Sequence, residues 1–359
     1  MNRKLNFSAG PATLPLSVLE QAQADLVDYK GAGMSVMEMS HRSKSYDEIH
    51  NNAIADIRKL LGAGDDYEVL FLQGGASLQF YMAPINLMSD KDATADYIVT
   101  GSWSQKAVKE AKRVANVNIA GSSEDKNFNY LPKELSLTDE AAYVHITTNN
   151  TIYGTQWHSL PEIGKVPLIA DMSSDILSRP LKMDDYAMIY AGAQKNMGPS
   201  GVTLVVIRKD LLERSNDEIP TMLNYQTHAS KNSLFNTPPT WGIYLLGLNA
   251  QWLLNQGGLP AIAETNAAKA KIIYELVENN DFYTATAAKD DRSWMNVTFT
   301  TPNADLDQHF LEASVAADMT NLKGHRSVGG IRASIYNAMS IENVRTLADF
   351  MNDFANKNG

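Results

Sequence analysis

The chain of 359 residues contains no cysteine. That absence excludes disulfides, thiolate metal sites and cysteine nucleophiles. Positive charge is also short: 31 lysines and arginines face 41 aspartates and glutamates, a formal net charge of −10. Nucleic acid is therefore not expected as a partner, because phosphate backbones reward a basic face, and any bound anion must be held by a few local cations. No apolar run approaches the length of a membrane span, so no membrane partner is expected. The seven histidines lack ligand spacing, so no metal is expected either. Internal repeats and low-complexity segments are missing too. The first fifteen residues carry two basic side chains with no apolar segment after them, and Pro11 and Pro15 break up the rest of that stretch. This is not the pattern of a secretory signal, and the expected location is cytoplasmic.

The chain does have enough apolar material, 44% of residues, to bury a substantial core, and at this length it is expected to form two domains. From about Tyr67 to Arg208, short β-branched or aromatic runs alternate with helical patterns: YEVLFL, DYIVT, NVNIA, AAYVHI, VPLIAD, AMIYAG and VTLVVIR. That alternation predicts an α/β sheet with helices on its faces, and runs without apolar–polar alternation fit strands covered on both sides. Between two of them, Trp103, Ala107, Val108, Ala111 and Val114 recur at helical spacing and predict a helix packed on the sheet. After Pro238 and Pro239 a long, largely buried helix is expected to stop near Gly257 and Gly258. A second helix then opens a smaller C-terminal domain, with strands at WMNVTFT and GGIRASIY and a closing amphipathic helix from Ser340.

Five loops after strands carry chemistry-bearing residues. Lys195 follows AMIYAG and precedes MGPSG, a turn-forming segment. An ammonium held there can lose solvation, lower its pKa and form a Schiff base with a carbonyl. Asp171 ends VPLIAD, at the strand end where open α/β sheets bind ligands, and a carboxylate there can keep a pyridine nitrogen protonated. Gly74, Gly75, Ala76 and Ser77 lie between a strand and a helix, where small residues and a helix N-terminus suit a phosphate. This loop is neither a Walker loop nor GxGxxG. Trp103 offers an indole for ring stacking, and Thr151 offers a hydroxyl. Singly, each has a plain alternative: a solvated lysine, a capping carboxylate, a tight turn, a core tryptophan, a turn threonine. Together they supply partners for an aldehyde, a pyridine ring and a phosphate, which are the parts of pyridoxal phosphate.

These residues lie in segments that resemble the fold-type I, class V aminotransferases over essentially the whole chain. The resemblance is carried by FSAGPA at 7–12, MSHRS at 39–43, GGAS at 74–77, GSWS at 101–104, AGAQKNMGPSG at 191–201, NTPPT at 236–240 and GHRSVGGIRASIYNA at 324–338. It implies a mostly parallel seven-stranded sheet with helices on both faces in a large domain of residues 16–255. Residues 1–15 and 256–359 would form a smaller α+β domain. It implies that Lys195 carries pyridoxal 5'-phosphate and that Asp171 pairs with the pyridinium nitrogen. Ala76, Ser77 and Gln194 would hold the phosphate, Trp103 would stack on the ring, and Thr151 would bond near the phenolic oxygen. Asn236 and Thr237 would reach the cofactor phosphate of the neighbouring subunit, so a homodimer is implied. Some members carry an arginine where Ser77 stands, so the phosphate should lean here on backbone donors and Ser77.

A transaminase needs cations for the α-carboxylate common to its substrates and for each side-chain anion. By resemblance Arg332 takes the α-carboxylate. The pairs His41–Arg42 and His325–Arg326 would take a phosphate or the glutamate γ-carboxylate, one pair from each subunit. Singly these arginines also read as surface salt-bridge partners, but their Gly- and Ser-rich settings in an acidic chain favour anion binding. The implied reaction moves an amino group from L-glutamate to 3-phosphohydroxypyruvate in serine biosynthesis, with a related role in pyridoxine biosynthesis open. Three alternatives share parts of this pattern. A cysteine desulfurase is excluded by composition. A transaminase of the serine–pyruvate or alanine–glyoxylate type would use the same cofactor residues, and a non-catalytic phosphate-binding α/β protein would purify colourless.

Overall fold

The computed structural model describes residues 3–88 and 92–359. Met1 and Asn2 of the expected small domain, and residues 89–91 of the expected large one, lie outside the described residues. Each of the seven runs becomes one strand: β1 Tyr67–Leu72, β2 Thr94–Val99, β3 Asn116–Ser122, β4 Val144–Thr147, β5 Leu168–Asp171, β6 Met188–Gly192 and β7 Thr203–Arg208. They form one sheet in the order β1-β7-β6-β5-β4-β2-β3. Strands β2 to β6 pair in parallel. Only β7 runs the other way, antiparallel to both β1 and β6. The six co-directional strands therefore end at one edge, where their loops meet.

The apolar runs hide a period of two that burial reveals. Phe71, Ile146, Ala170, Ile189 and Val206 face one core, against Ile57 of α1 (Lys44–Leu61) and Leu246 of α4 (Thr240–Asn255). Their neighbours Leu72, Ile169, Tyr190 and Val205 face the other, against Phe80 of α2 (Gly75–Leu87) and Ala107 of α3 (Ser102–Ala111). Each large side chain buried this way contributes roughly 1.5–3 kcal/mol. Helix α1 escaped the sequence reading although Tyr46, Ile49, Ala53, Ile57 and Leu60 recur at helical spacing on its buried face. In α3 the expected stripe ends early, since Ala111 is the last helical residue and Val114 beyond it is 36% exposed.

Helix α4 ends at Asn255, and Gly257, at φ 95°, caps the start of α5 (Gly258–Glu278). The left-handed backbone at Gly257 is the reason a glycine stands between the two helices. Strands β8 (Asn296–Thr300) and β9 (Ile331–Ser334) pair antiparallel, and α6 (Ile341–Asn358) closes the chain. A separate core joins Phe7 to Ile273, Phe299, Phe310, Ile331 and Phe354. The N-terminal segment enters it through Leu5–Asn6, which pairs in parallel with Met319–Thr320. Among the described residues no helix is long and apolar enough to cross a membrane.

Candidate active site

Strand β6 ends at Gly192, and a tight turn follows, closed by Met197 N–H and Gly198 N–H donating to the Ala193 carbonyl at 3.1 and 2.9 Å. Lys195 leaves this turn half-buried, and its Nζ donates to Thr151 Oγ1 at 2.7 Å. Burial lowers its pKa to about 8, opposed by the carboxylate of Asp171 and assisted by the guanidinium of Arg332. The N-terminal segment packs against the stem of this lysine. Ala12 N–H donates to the Gln194 carbonyl at 2.9 Å, and a β-carbon on Gly10 would lie 3.1 Å from Lys195 Cγ.

Asp171 is the last residue of β5 and is 4% exposed. Burial pushes its carboxyl up, while hydrogen bonds from Ser173 and the charge of Lys195 pull it down. Ser173 N–H donates to its Oδ1 at 2.9 Å. The Asp171 carbonyl accepts from Thr148 N–H at 3.0 Å, and the one hydrogen of the Thr148 hydroxyl is shared between that carbonyl, at 3.2 Å, and buried Asp175. The carboxylate is thus held by its own turn, and the backbone that bears it by the residue after the neighbouring strand.

Trp103 opens α3, with its ring centroid 5.7 Å from Lys195 Nζ and 4.1 Å from Lys106 Nζ. Its indole N–H is buried without a partner among the described residues. Lys106 was missed in the sequence, although its spacing of three from Trp103 places both on one helix face. At the end of β1, Gly74 and Gly75 adopt φ of 89° and 68°, a conformation that turns the chain directly into α2. The first N–H groups of that helix, through Ala76 and Ser77, point outward as at any helix start. Gln194 is half-buried, its side chain folded back over Gly192.

Arg332, on β9, reaches across the chain: its Nη1 donates to the Thr151 carbonyl at 3.2 Å, and its Nε is buried without a partner among the described residues. Burial holds this guanidinium below its ordinary pKa. Burial also lowers the pKa of His325, as do Arg332, Arg326 and Lys106, so these cations share one region. Arg326 itself is exposed. Lys195, Asp171, Thr151, Trp103 and Arg332 are therefore brought together in one chain. His41 and Arg42 stand in the turn before α1, with His41 Nε2 buried and unpartnered among the described residues and Arg42 exposed. Asn236 lies beside Gln73, its Nδ2 3.5 Å from that side chain's oxygen, and Thr237 is exposed.

A lysine whose amine is released near pH 8, a buried carboxylate, an indole face and a glycine-led helix start match the aldehyde, ring nitrogen, ring and phosphate of pyridoxal phosphate. The unpartnered Trp103 Nε1 and Arg332 Nε are donors with bonds still to make.

Comparison with known proteins places the chain in a family. A family model described as aminotransferase class-V matches residues 4–347. The chain is 55% identical to a phosphoserine aminotransferase of Desulfosudis oleivorans, over 99% of each chain. A solved phosphoserine aminotransferase from Bacillus circulans subsp. alkalophilus superposes with a TM-score of 0.97 at 49% identity, covering 99% of each chain. A pyridoxal-phosphate-bound phosphoserine aminotransferase from Trichomonas vaginalis superposes with a TM-score of 0.93 at 38% identity, covering 98% of this chain and 100% of that one. The chain belongs to the class-V aminotransferases and is a pyridoxal-phosphate-dependent transaminase.

Proposed function

We propose that this transaminase moves an amino group reversibly from L-glutamate to 3-phosphohydroxypyruvate, giving 2-oxoglutarate and O-phospho-L-serine. The observation that carries the reading is the placement of Lys195 Nζ, 2.7 Å from Thr151 Oγ1, among Asp171, Trp103 and Arg332. The identity of 55% to a phosphoserine aminotransferase supports the choice of substrates.

Pyridoxal phosphate supplies an aldehyde for Lys195 and a ring that accepts electrons from the substrate α-carbon. Asp171 keeps a proton on the ring nitrogen. Trp103 would stack on the ring, and Thr151 would bond near the phenolic oxygen. The N–H groups of Ala76 and Ser77, the Ser77 hydroxyl and Gln194 hold the phosphate. Arg332 binds the α-carboxylate and orients the α-hydrogen, and the free amine of Lys195 removes that proton and returns it. His41, Arg42, His325 and Arg326 pair with the side-chain phosphate or γ-carboxylate. The active unit is a homodimer in which Asn236 and Thr237 reach the neighbouring subunit's cofactor phosphate. Residues 16–255 form the large domain, and residues 1–15 and 256–359 the small one. The enzyme works in the cytoplasm in serine biosynthesis.

Lys106, His325 and Arg326, beyond the Arg332 that any keto acid would need, support anionic side chains over the small keto acids of a serine–pyruvate or alanine–glyoxylate type enzyme. Steady-state rates with 3-phosphohydroxypyruvate, pyruvate and glyoxylate test this. A preference for either small acid reverses the choice of substrate. Lys195→Ala is expected to lose turnover together with the borohydride-sensitive visible band; full activity in that variant overturns the mechanism.

A further inference from the structure

Lys195 and Asn196 are consecutive but serve different surroundings. Lys195 turns toward Thr151 and Trp103, whereas Asn196 is 5% exposed and its side-chain amide is engaged inside the protein at both ends. Its Nδ2 donates to the Ile176 carbonyl at 2.7 Å, and its Oδ1 accepts from Asn337 N–H at 2.9 Å. Its backbone carbonyl accepts from Asn249 Nδ2, on α4, at 3.3 Å.

The two side-chain partners give this arrangement its meaning. Ile176 closes the turn that follows Asp171, its N–H donating to the Met172 carbonyl at 2.8 Å. Asn337 lies on the segment that follows Arg332, just past the end of β9, where the Tyr336 hydroxyl donates to the Ala9 carbonyl at 2.8 Å. One primary amide therefore ties the lysine-bearing turn to the turn of the buried carboxylate and to the segment of the buried guanidinium. Among the amide side chains only Asn and Gln donate and accept at once in this way, and Gln is one methylene longer. We propose that Asn196 is a positioning residue that sets the direction of Lys195 relative to Asp171 and Arg332. The inference rests on the reading of Lys195 as the cofactor-bearing amine.

A merely structural role has a built-in comparison in the same seam. Asn266, 1% exposed, donates through Nδ2 to the Ser178 carbonyl at 2.9 Å and to Asn337 Oδ1 at 2.8 Å, without a hydrogen bond to Lys195 or Asn196. Loss of Asn266 is expected to weaken the seam while the Asn337 N–H and the Ile176 carbonyl stay available to Asn196.

The test compares Asn196→Ala, Asn196→Ser and Asn266→Ala holoenzymes with the unsubstituted protein. The midpoint of the pH titration of the visible band is measured, with the single-turnover rate on excess glutamate. The groups facing that amine are Asp171, Arg332 and Asp175, and a displaced lysine feels all three differently. Asn196→Ala is expected to retain the band, to shift its midpoint by about 0.5 pH unit or more, and to slow the single turnover about tenfold or more. Asn266→Ala is expected to melt earlier while both readouts stay as in the unsubstituted protein. If Asn196→Ala does not fold, the smaller change to Ser carries the same comparison. An unshifted midpoint and rate in the Asn196 variant that folds, or equal shifts in Asn266→Ala, overturns the proposal. An unsubstituted protein with no borohydride-sensitive band would sink the reading of Lys195 and this inference with it, whereas a band present but unmoved sinks this inference alone.

Discussion

Lys195 Nζ donates to Thr151 Oγ1 at 2.7 Å, across 44 residues of sequence, and the backbone carbonyl of the same threonine accepts from Arg332. One loop thus joins the amine to the cation assigned to the substrate carboxylate. Thr151→Val keeps the shape and removes the acceptor. A lost hydrogen bond of about 1.4 kcal/mol lowers kcat about tenfold while the cofactor remains bound. Steady-state kinetics with the absorption spectrum check this, and an unchanged kcat removes the hydroxyl from the mechanism.

The lowered pKa of Lys195, about 8 by burial, governs cofactor capture by the cofactor-free protein. The neutral amine is the nucleophile, so the capture rate rises about tenfold per pH unit well below that value and levels off above it. Stopped-flow absorbance after mixing with pyridoxal phosphate reads the profile. A rate still climbing steeply toward pH of about 10 would mean an ordinary, solvated lysine.

Asp171→Asn keeps the shape of the side chain and its bond from Ser173 N–H but loses the charge. Cofactor binding is expected to persist, with kcat lower by about a hundredfold or more, because an uncharged amide cannot hold a proton on the ring nitrogen. Equal kinetics in the variant and the unsubstituted enzyme would dismiss the carboxylate from that role.

Lys269, on α5, is fully buried and donates to the carbonyls of Ile335, Tyr336 and Met339 at 2.9, 2.8 and 3.0 Å. Burial lowers its pKa from 10.5 to about 7. Between those two values the unfolded chain holds a proton that the folded chain lacks, so stability rises with pH through that window. Lys269→Met abolishes this component and leaves up to three carbonyls unpaired, each costing about 1–3 kcal/mol. Thermal denaturation across that pH range should show a lower Tm and a flatter profile; a profile as steep as in the unsubstituted protein refutes the assignment.

The proposed sharing of active sites between subunits has a direct test in mixed dimers. Lys195→Ala subunits combined with subunits carrying Asn236→Ala and Thr237→Ala form hybrids with one intact site. Recovery of up to about half the normal activity per hybrid is expected. Hybrids no more active than the parent variants would place Asn236 and Thr237 in the site of their own chain.

Much of this site is legible in the residues because the signals are local. A strand announces itself in five or six consecutive residues, and a loop after a strand in a largely parallel sheet must open on the ligand edge. Lys195, Asp171, Trp103, Thr151 and the glycines at 74 and 75 were all found that way. Lys106 was equally local, three residues from Trp103, and was overlooked. Asn196 carried no such signal: nothing in the residues beside it indicates that its amide joins Ile176 to Asn337, 141 residues away.

Local sequence was enough to mark the seven strands of the large sheet, the edge that collects their loops, and a lysine and a carboxylate standing there. Hydrophobic period and turn chemistry act over a few residues, so they can be read from a few residues. That Arg332 meets Thr151, that Gly10 packs on the stem of Lys195, and that Lys269 is sealed among carbonyls became visible only in the folded chain. Such contacts depend on how distant segments dock once their apolar faces are buried, and that geometry is written in the packing of the whole chain rather than in any one stretch of it.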